Sequence, residues 1–155
     1  MSDGDILKLE ITSDPAELPV VRDQVRSWTQ AQTWTEQEAA DIVLAVDEAL
    51  SNVIRHGYEG KPGHQIHLAF RSVRDSAHGA GLEICIRDFG KQVPLDSIAG
   101  RDLDDLRPGG LGVHIIRSVM AEVEYSHAPG GGMQLVMRKY RERSSNDPGS
   151  QAGQP

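Results

Sequence analysis

Residues 45–58 read AVDEALSNVIRHGY, with apolar positions at helical spacing. Ile42, Val46, Ala49 and Val53 form one stripe, widened by Val43, Leu50 and Ile54. A stripe of that width belongs to a helix laid against a sheet or other helices. Glu48 and Asn52 are four residues apart, so they stand about 40° from each other, one turn apart, away from the middle of that stripe. His56 continues the row. A carboxylate, a carboxamide and an imidazole in line have two readings. One is an ordinary solvated face. The other is a site, and Asn52 speaks for it, because asparagine favours caps and turns over helix interiors. Its amide oxygen suits a hard cation such as magnesium.

The flanking sequence sets this helix in a frame. Thr35 followed by Glu38 is a capping-box pattern, so the helix is expected to start there and run to about His56, with Gly57 as its stop. Residues 5–12 alternate as a half-buried strand, and Asp14-Pro15 is expected to open a first helix with Pro15 at its first position. Its apolar residues are Leu18, Val21, Val25 and Trp28. Two strands are expected over residues 64–73 and 80–88. Residues 91–108 hold Pro94, Gly100 and Pro108 among many charges, the composition of a functional loop or lid. A helix is expected over residues 109–123, and VEYSHAP with GMQLVMRKY makes a closing hairpin. From Arg141 the chain turns to Ser, Gly, Pro and Gln, so residues 1–140 are expected to be one domain and residues 141–155 a disordered tail. Strands in neighbouring pairs rather than alternating with helices predict a two-layer α/β sandwich. Its helices lie on one face of a mixed, mainly antiparallel sheet.

Composition bounds the function. With 38% hydrophobic and 25% charged residues in 155, this is an ordinary globular chain. A formal net charge of −7 argues against nucleic acid as a partner. The start MSDGDILKLE lacks a signal peptide's basic and apolar segments, no apolar run is long enough to cross a bilayer, and Cys85 is the only cysteine. A cytoplasmic protein with no membrane partner is expected.

Two further motifs carry chemistry. CIRDFG at residues 85–90 contains the tripeptide with which eukaryotic-type kinases hold magnesium. Their glycine-rich loop, V-A-I-K strand and H-R-D motif are all missing upstream, so Asp88 has another job. RPGGLGVHII at residues 107–116 places Gly109, Gly110 and Gly112 at the entrance of an apolar helix. Bare amides and the positive end of a helix dipole suit a phosphate there, although a hinge at a helix start has the same composition.

In this order, EALSN with HGY, then DFG, then GGLG resemble the N, G1 and G2 boxes of the GHKL (Bergerat-fold) ATPases. The likeness is strongest to the bacterial anti-sigma factor serine/threonine kinases, and it covers about residues 35–138. The resemblance implies ATP and Mg2+ as cofactors. It makes Glu48 the general base toward a substrate serine, Asn52 the magnesium ligand, and Asp88 the acceptor of the adenine amino group. Gly90 then lets the chain turn beneath the base, the amides of Gly110, Leu111 and Gly112 hold phosphates, Arg55 and His56 line the pocket, and Arg107 contacts a terminal phosphate. Two positions depart from the family pattern. Gln92 stands where the G1 box carries a second glycine, and Met133 replaces the threonine of a final G-x-G-T. The implied function is a kinase that sequesters a partner such as a sigma factor and phosphorylates a STAS-domain anti-sigma factor antagonist on serine, with homodimerisation through the sheet or first helix. The alternative is a partner-sequestering module without catalysis. The catalytic half of a histidine kinase is less expected, because no phosphoacceptor helix is seen ahead of the boxes.

Overall fold

The computed structural model describes residues 6–95 and 110–141. Its strands are β1 (Ile6–Thr12), β2 (Gln65–Asp75), β3 (Gly79–Asp88), β4 (Glu122–His127) and β5 (Met133–Tyr140), and its helices are α1 (Leu18–Ala31), α2 (Glu36–Asn52) and α3 (Gly110–Val119). The strands form one sheet in the order β1-β2-β3-β5-β4. All four pairings are antiparallel, so the α/β sandwich expected from the sequence forms with antiparallel pairings alone among the described residues.

Register assigns each side chain to a face, because successive strand residues point to opposite sides. Leu9, Leu68, Ile86, Leu135 and Tyr125 stand opposite one another across the whole sheet and belong to the core. They meet Val21 and Val25 of α1, Ile42, Val46 and Leu50 of α2, and Ile116 of α3 in one cluster. α2 lies between α1 and α3 and packs on both. The other face of the sheet is charged. Arg71, Glu83, Arg138 and Glu122 face one another on adjacent strands and join at 2.7, 2.9 and 2.8 Å. Asp88, last in β3, falls on the core face in step with Leu82, Ile84 and Ile86. It is only 2% exposed.

The helix boundaries show local chemistry at work. The Thr35 capping box is formed in both directions, with Glu38 N–H donating to Thr35 Oγ1 at 3.1 Å and Thr35 N–H to Glu38 Oε1 at 3.0 Å. The first helix was expected from Pro15. Instead Pro15–Glu17 is a 3-10 turn capped by Asp14, and α1 begins at Leu18. An α-helical bond to the Pro15 carbonyl would need an N–H on residue 19, which is proline, so Leu18 N–H takes that carbonyl in the tighter pattern. The second helix was expected to run to His56. Its α-helical part ends at Asn52, and Val53–Gly57 continues as a π-helical turn. The last helix ends at Val119, not at residue 123, because Glu122 and Val123 already pair with β5. The tail was expected from Arg141, but that residue is docked. Its guanidinium lies 4.3 Å from the Trp34 ring and donates to the Thr33 and Gln32 carbonyls. The rest of the expected tail, the lid beyond Leu95 and Arg107 lie outside the described residues.

Candidate functional site

The site centres on the end of β3. Asp88 Oδ1 accepts from Gly90 N–H at 3.0 Å, closing an Asx turn, and from Met133 N–H at 3.1 Å. Among the described residues the other oxygen, Oδ2, accepts nothing. A buried carboxylate with one saturated oxygen and one open oxygen is an acceptor awaiting a donor. Burial pushes the Asp88 carboxyl above its ordinary value, against the opposing pull of the Gly90 and Met133 amides and of Arg87.

Three segments converge on this carboxylate. The π turn brings Gly57 so close that a Cβ there would sit 3.6 Å from Asp88 Oδ2. A Cβ on Gly90 would collide with the Gly57 carbonyl, and Lys91 N–H donates to that same oxygen at 2.9 Å. The turn between β4 and β5 supplies the third side. Gly132, at φ +80°, has no room for a Cβ against the Asp88 carbonyl oxygen. Tyr58 locks the arrangement from below: its hydroxyl donates to the Gln65 carbonyl at 2.5 Å and accepts from Phe89 N–H at 2.7 Å.

Glu48 and Asn52 are both half-buried on α2, and neither side chain has a hydrogen bond or ion pair among the described residues. Neighbouring Asp47 is engaged by Arg22 at 2.7 Å, so Glu48 is the carboxylate left for chemistry on this stretch. Asn52 Oδ1 is a neutral oxygen open to a hard cation. Arg55 and His56 are exposed in the π turn, which breaks the straight row expected from Glu48 through Asn52 to His56, since a wider turn rotates the residues after it. Gly110, Leu111 and Gly112 form the first turn of α3, which packs on α2 and so belongs to the same side of the sandwich.

Some of the construction was missed in the sequence. Tyr58, Gly57 and the Gly132 approach were not singled out as site residues, though a glycine triplet before a strand is a signal of close backbone contact. Met133 acts through its N–H, so its replacement of threonine leaves that contact intact. Gln92 uses its side chain: Nε2 donates to the Gly132 carbonyl at 3.2 Å and to the Ala128 carbonyl at 3.4 Å.

Comparison with known proteins bears on the family and the fold. Residues 11–139 match the histidine kinase-like ATPase domain family. The serine-protein kinase RsbW of Bacillus pumilus is 29% identical over 153 residues, covering 92% of this chain and 91% of its own. The structure of the RsbU and RsbW domains of a Mycobacterium tuberculosis protein matches with a TM-score of 0.59 at 16% identity, over 89% of this chain and 32% of that longer one. A chain of the SiaB–SiaC complex from Pseudomonas aeruginosa also gives 0.59, at 20% identity, over 86% of this chain and 89% of its own. At these identities the two structures attest to the fold alone. The family match spans most of the chain, which therefore belongs to the histidine kinase-like ATPase domain family, the GHKL ATPases, with serine-protein kinases among its relatives there.

Proposed function

We propose that the chain is an ATP-dependent serine/threonine protein kinase of partner-switching type. It sequesters a regulatory protein, a sigma factor in the reading taken from the resemblance, and phosphorylates a STAS-domain anti-sigma factor antagonist on serine. The observation that carries this reading is the open oxygen of Asp88, buried in the core face yet unpaired among the described residues. Such an oxygen suits the exocyclic amino group of adenine. The amides of Gly110, Leu111 and Gly112 suit the phosphates, with Arg55 and His56 lining the pocket and Arg107 at the terminal phosphate. Asn52 would hold magnesium, which neutralises phosphate charge when bound. Glu48 accepts the serine hydroxyl proton as the serine oxygen attacks the γ-phosphorus and ADP departs. The relatives named as serine-protein kinases support this class of reaction.

Thermal melting with and without magnesium-ATP tests the reading on wild type, Asp88→Asn and Glu48→Ala. Ligand at 100 times its Kd adds about 2.7 kcal/mol, roughly 5–10 °C for a domain of this size. Asparagine can keep both amide contacts on its oxygen, but then presents a donor where Oδ2 stood. Asp88→Asn is expected to melt without ligand at least as high as wild type and to show no ATP shift. Glu48→Ala should keep the shift and lose phosphoryl transfer by roughly 100-fold or more. ATP affinity retained in Asp88→Asn would refute the adenine site. Full transfer by Glu48→Ala would refute the base. No shift in wild type would leave a sequestering module that works without nucleotide.

A further inference from the structure

The hydroxyl of Tyr58 stands where a sheet bond would otherwise form. Ile66 pairs with Asp88, so one step further Gln65 stands opposite Phe89. Ser13 N–H donates to the His64 carbonyl at 2.7 Å in the β1–β2 register. Backbone groups alternate sides along a strand, so His64 and Ile66 address β1 and Gln65 addresses β3. The next rung between β2 and β3 would therefore be Phe89 N–H on the Gln65 carbonyl. Instead Phe89 N–H donates to Tyr58 Oη at 2.7 Å, and that hydroxyl donates to the Gln65 carbonyl at 2.5 Å. The rung is longer by one oxygen atom, and the end of β3 is splayed from β2.

The wedge is firmly seated. Tyr58 is buried, and its ring stacks on His64 at 4.8 Å with the planes 12° apart. His64 N–H donates to Ser13 Oγ at 3.0 Å, and the buried Ser13 hydroxyl donates to the Lys61 carbonyl at 2.6 Å. Burial holds the Tyr58 hydroxyl above its ordinary pKa, so at neutral pH it keeps the proton that it donates.

Phe89 N–H shares a rigid peptide plane with the Asp88 carbonyl, so a hold on it is a hold on the backbone that carries the Asp88 carboxylate. Among the described residues this N–H has no other acceptor. The Asp88 carbonyl accepts from Arg87 Nε at 3.1 Å and Oδ1 accepts from Gly90 N–H, but both donors ride on the same stretch of chain and move with it. Met133 N–H draws Asp88 toward β5, and the Tyr58 hydroxyl keeps the strand end from closing on β2. Without that oxygen, Phe89 N–H and the Gln65 carbonyl would close the ordinary rung. The end of β3 would shift toward β2 and off Met133 N–H, and Oδ2 would leave the place where it is offered.

We propose that Tyr58 is a positioning residue for nucleobase recognition: its hydroxyl, set between Phe89 N–H and the Gln65 carbonyl, fixes where the Asp88 carboxylate stands. This rests on reading Asp88 as the adenine acceptor.

The test uses Tyr58→Phe, which keeps the ring and removes the oxygen, and melting without ligand checks that the fold is kept. Calorimetry then gives Kd for magnesium-ATP and for the purine ribonucleoside triphosphate that lacks the 6-amino group. One net hydrogen bond corresponds to a loss of roughly three- to tenfold in ATP affinity. The preference of wild type for ATP over the 6-unsubstituted analogue should shrink by a similar factor, a readout that a merely structural role would not move. Amide exchange followed by NMR reads the rung itself, with no nucleotide present. In Tyr58→Phe the Phe89 amide is expected to stay protected, now by the Gln65 carbonyl, and rapid exchange there would overturn the proposal. Wild-type affinity and preference in Tyr58→Phe would overturn it too, as would equal losses for the two nucleotides. Asp88→Asn run in parallel separates the two failures. If it binds ATP like wild type, the adenine reading falls and takes this role with it. If it loses ATP while Tyr58→Phe does not, only the role of Tyr58 falls.

Discussion

Asp88 is where charge and burial meet in one side chain, the one proposed to read adenine. Burial raises its pKa, so the empty folded protein disfavours the ionised form. Its contribution to stability is therefore greatest below the ordinary carboxylate range and is lost as pH rises through that range to the raised folded value. On the proposed reading of Asp88 as the adenine acceptor, a bound amino group favours the ionised form, whose oxygens are acceptors only. Affinity for adenosine, which has no phosphate to titrate, should accordingly fall as pH is lowered through the raised Asp88 value. Calorimetry from neutral pH down to the ordinary carboxylate value of 3.8 would detect the fall, and an affinity flat over that whole interval would contradict it. Asp88 was legible in the sequence as a candidate through the DFG box. Which of its oxygens stays open was not, because that depends on Met133, 45 residues further along the chain.

At the scale of elements, the site is made by two departures from regular structure. The π turn adds a residue per turn after Asn52 and delivers Gly57 to Asp88. The turn after β4 brings Gly132 against the Asp88 carbonyl. Neither departure shows in a hydrophobic pattern, which registers faces and not the width of a turn. Glycine substitutions separate close approach from backbone conformation alone. Gly132→Ala combines positive φ with a collision against fixed backbone, and about 2–4 kcal/mol of stability should be lost. Gly130→Ala, at φ +85° in open space, carries the conformational cost alone, about 1–2 kcal/mol. Urea unfolding of both variants measures the difference, and equal losses would mean that the packing of Gly132 on Asp88 contributes nothing.

For the whole molecule, the antiparallel sheet divides the chain into an apolar side under the helices and a charged side bearing the Arg71, Glu83, Arg138 and Glu122 ladder. Adjacent residues of β3 report on the two sides. Ile84 is fully buried, and Ile84→Ala should cost about 2–5 kcal/mol. Glu83→Gln removes two ion pairs, but both guanidinium partners are partly exposed, so its cost should stay near 1 kcal/mol or below and shrink in high salt. Denaturant melts at low and high ionic strength would test both statements, and a salt-insensitive loss at Glu83 equal to that at Ile84 would overturn the division.

The amino-acid sequence by itself determined the order of elements, the capping box at Thr35 and the stripe that buries α2, and it named the residues of the candidate site. Each of these depends on contacts within a few residues or on a period of side-chain polarity. Tertiary structure alone decided that α1 starts at Leu18, that the helix after Asn52 widens, and that Arg141 docks on Trp34. It also decided that Met133 N–H donates to Asp88 and that the Gln92 side chain reaches the Gly132 and Ala128 carbonyls. These features rest on hydrogen bonds and close approaches between segments far apart in the chain, and no local pattern of residue types records which distant carbonyl an amide will meet.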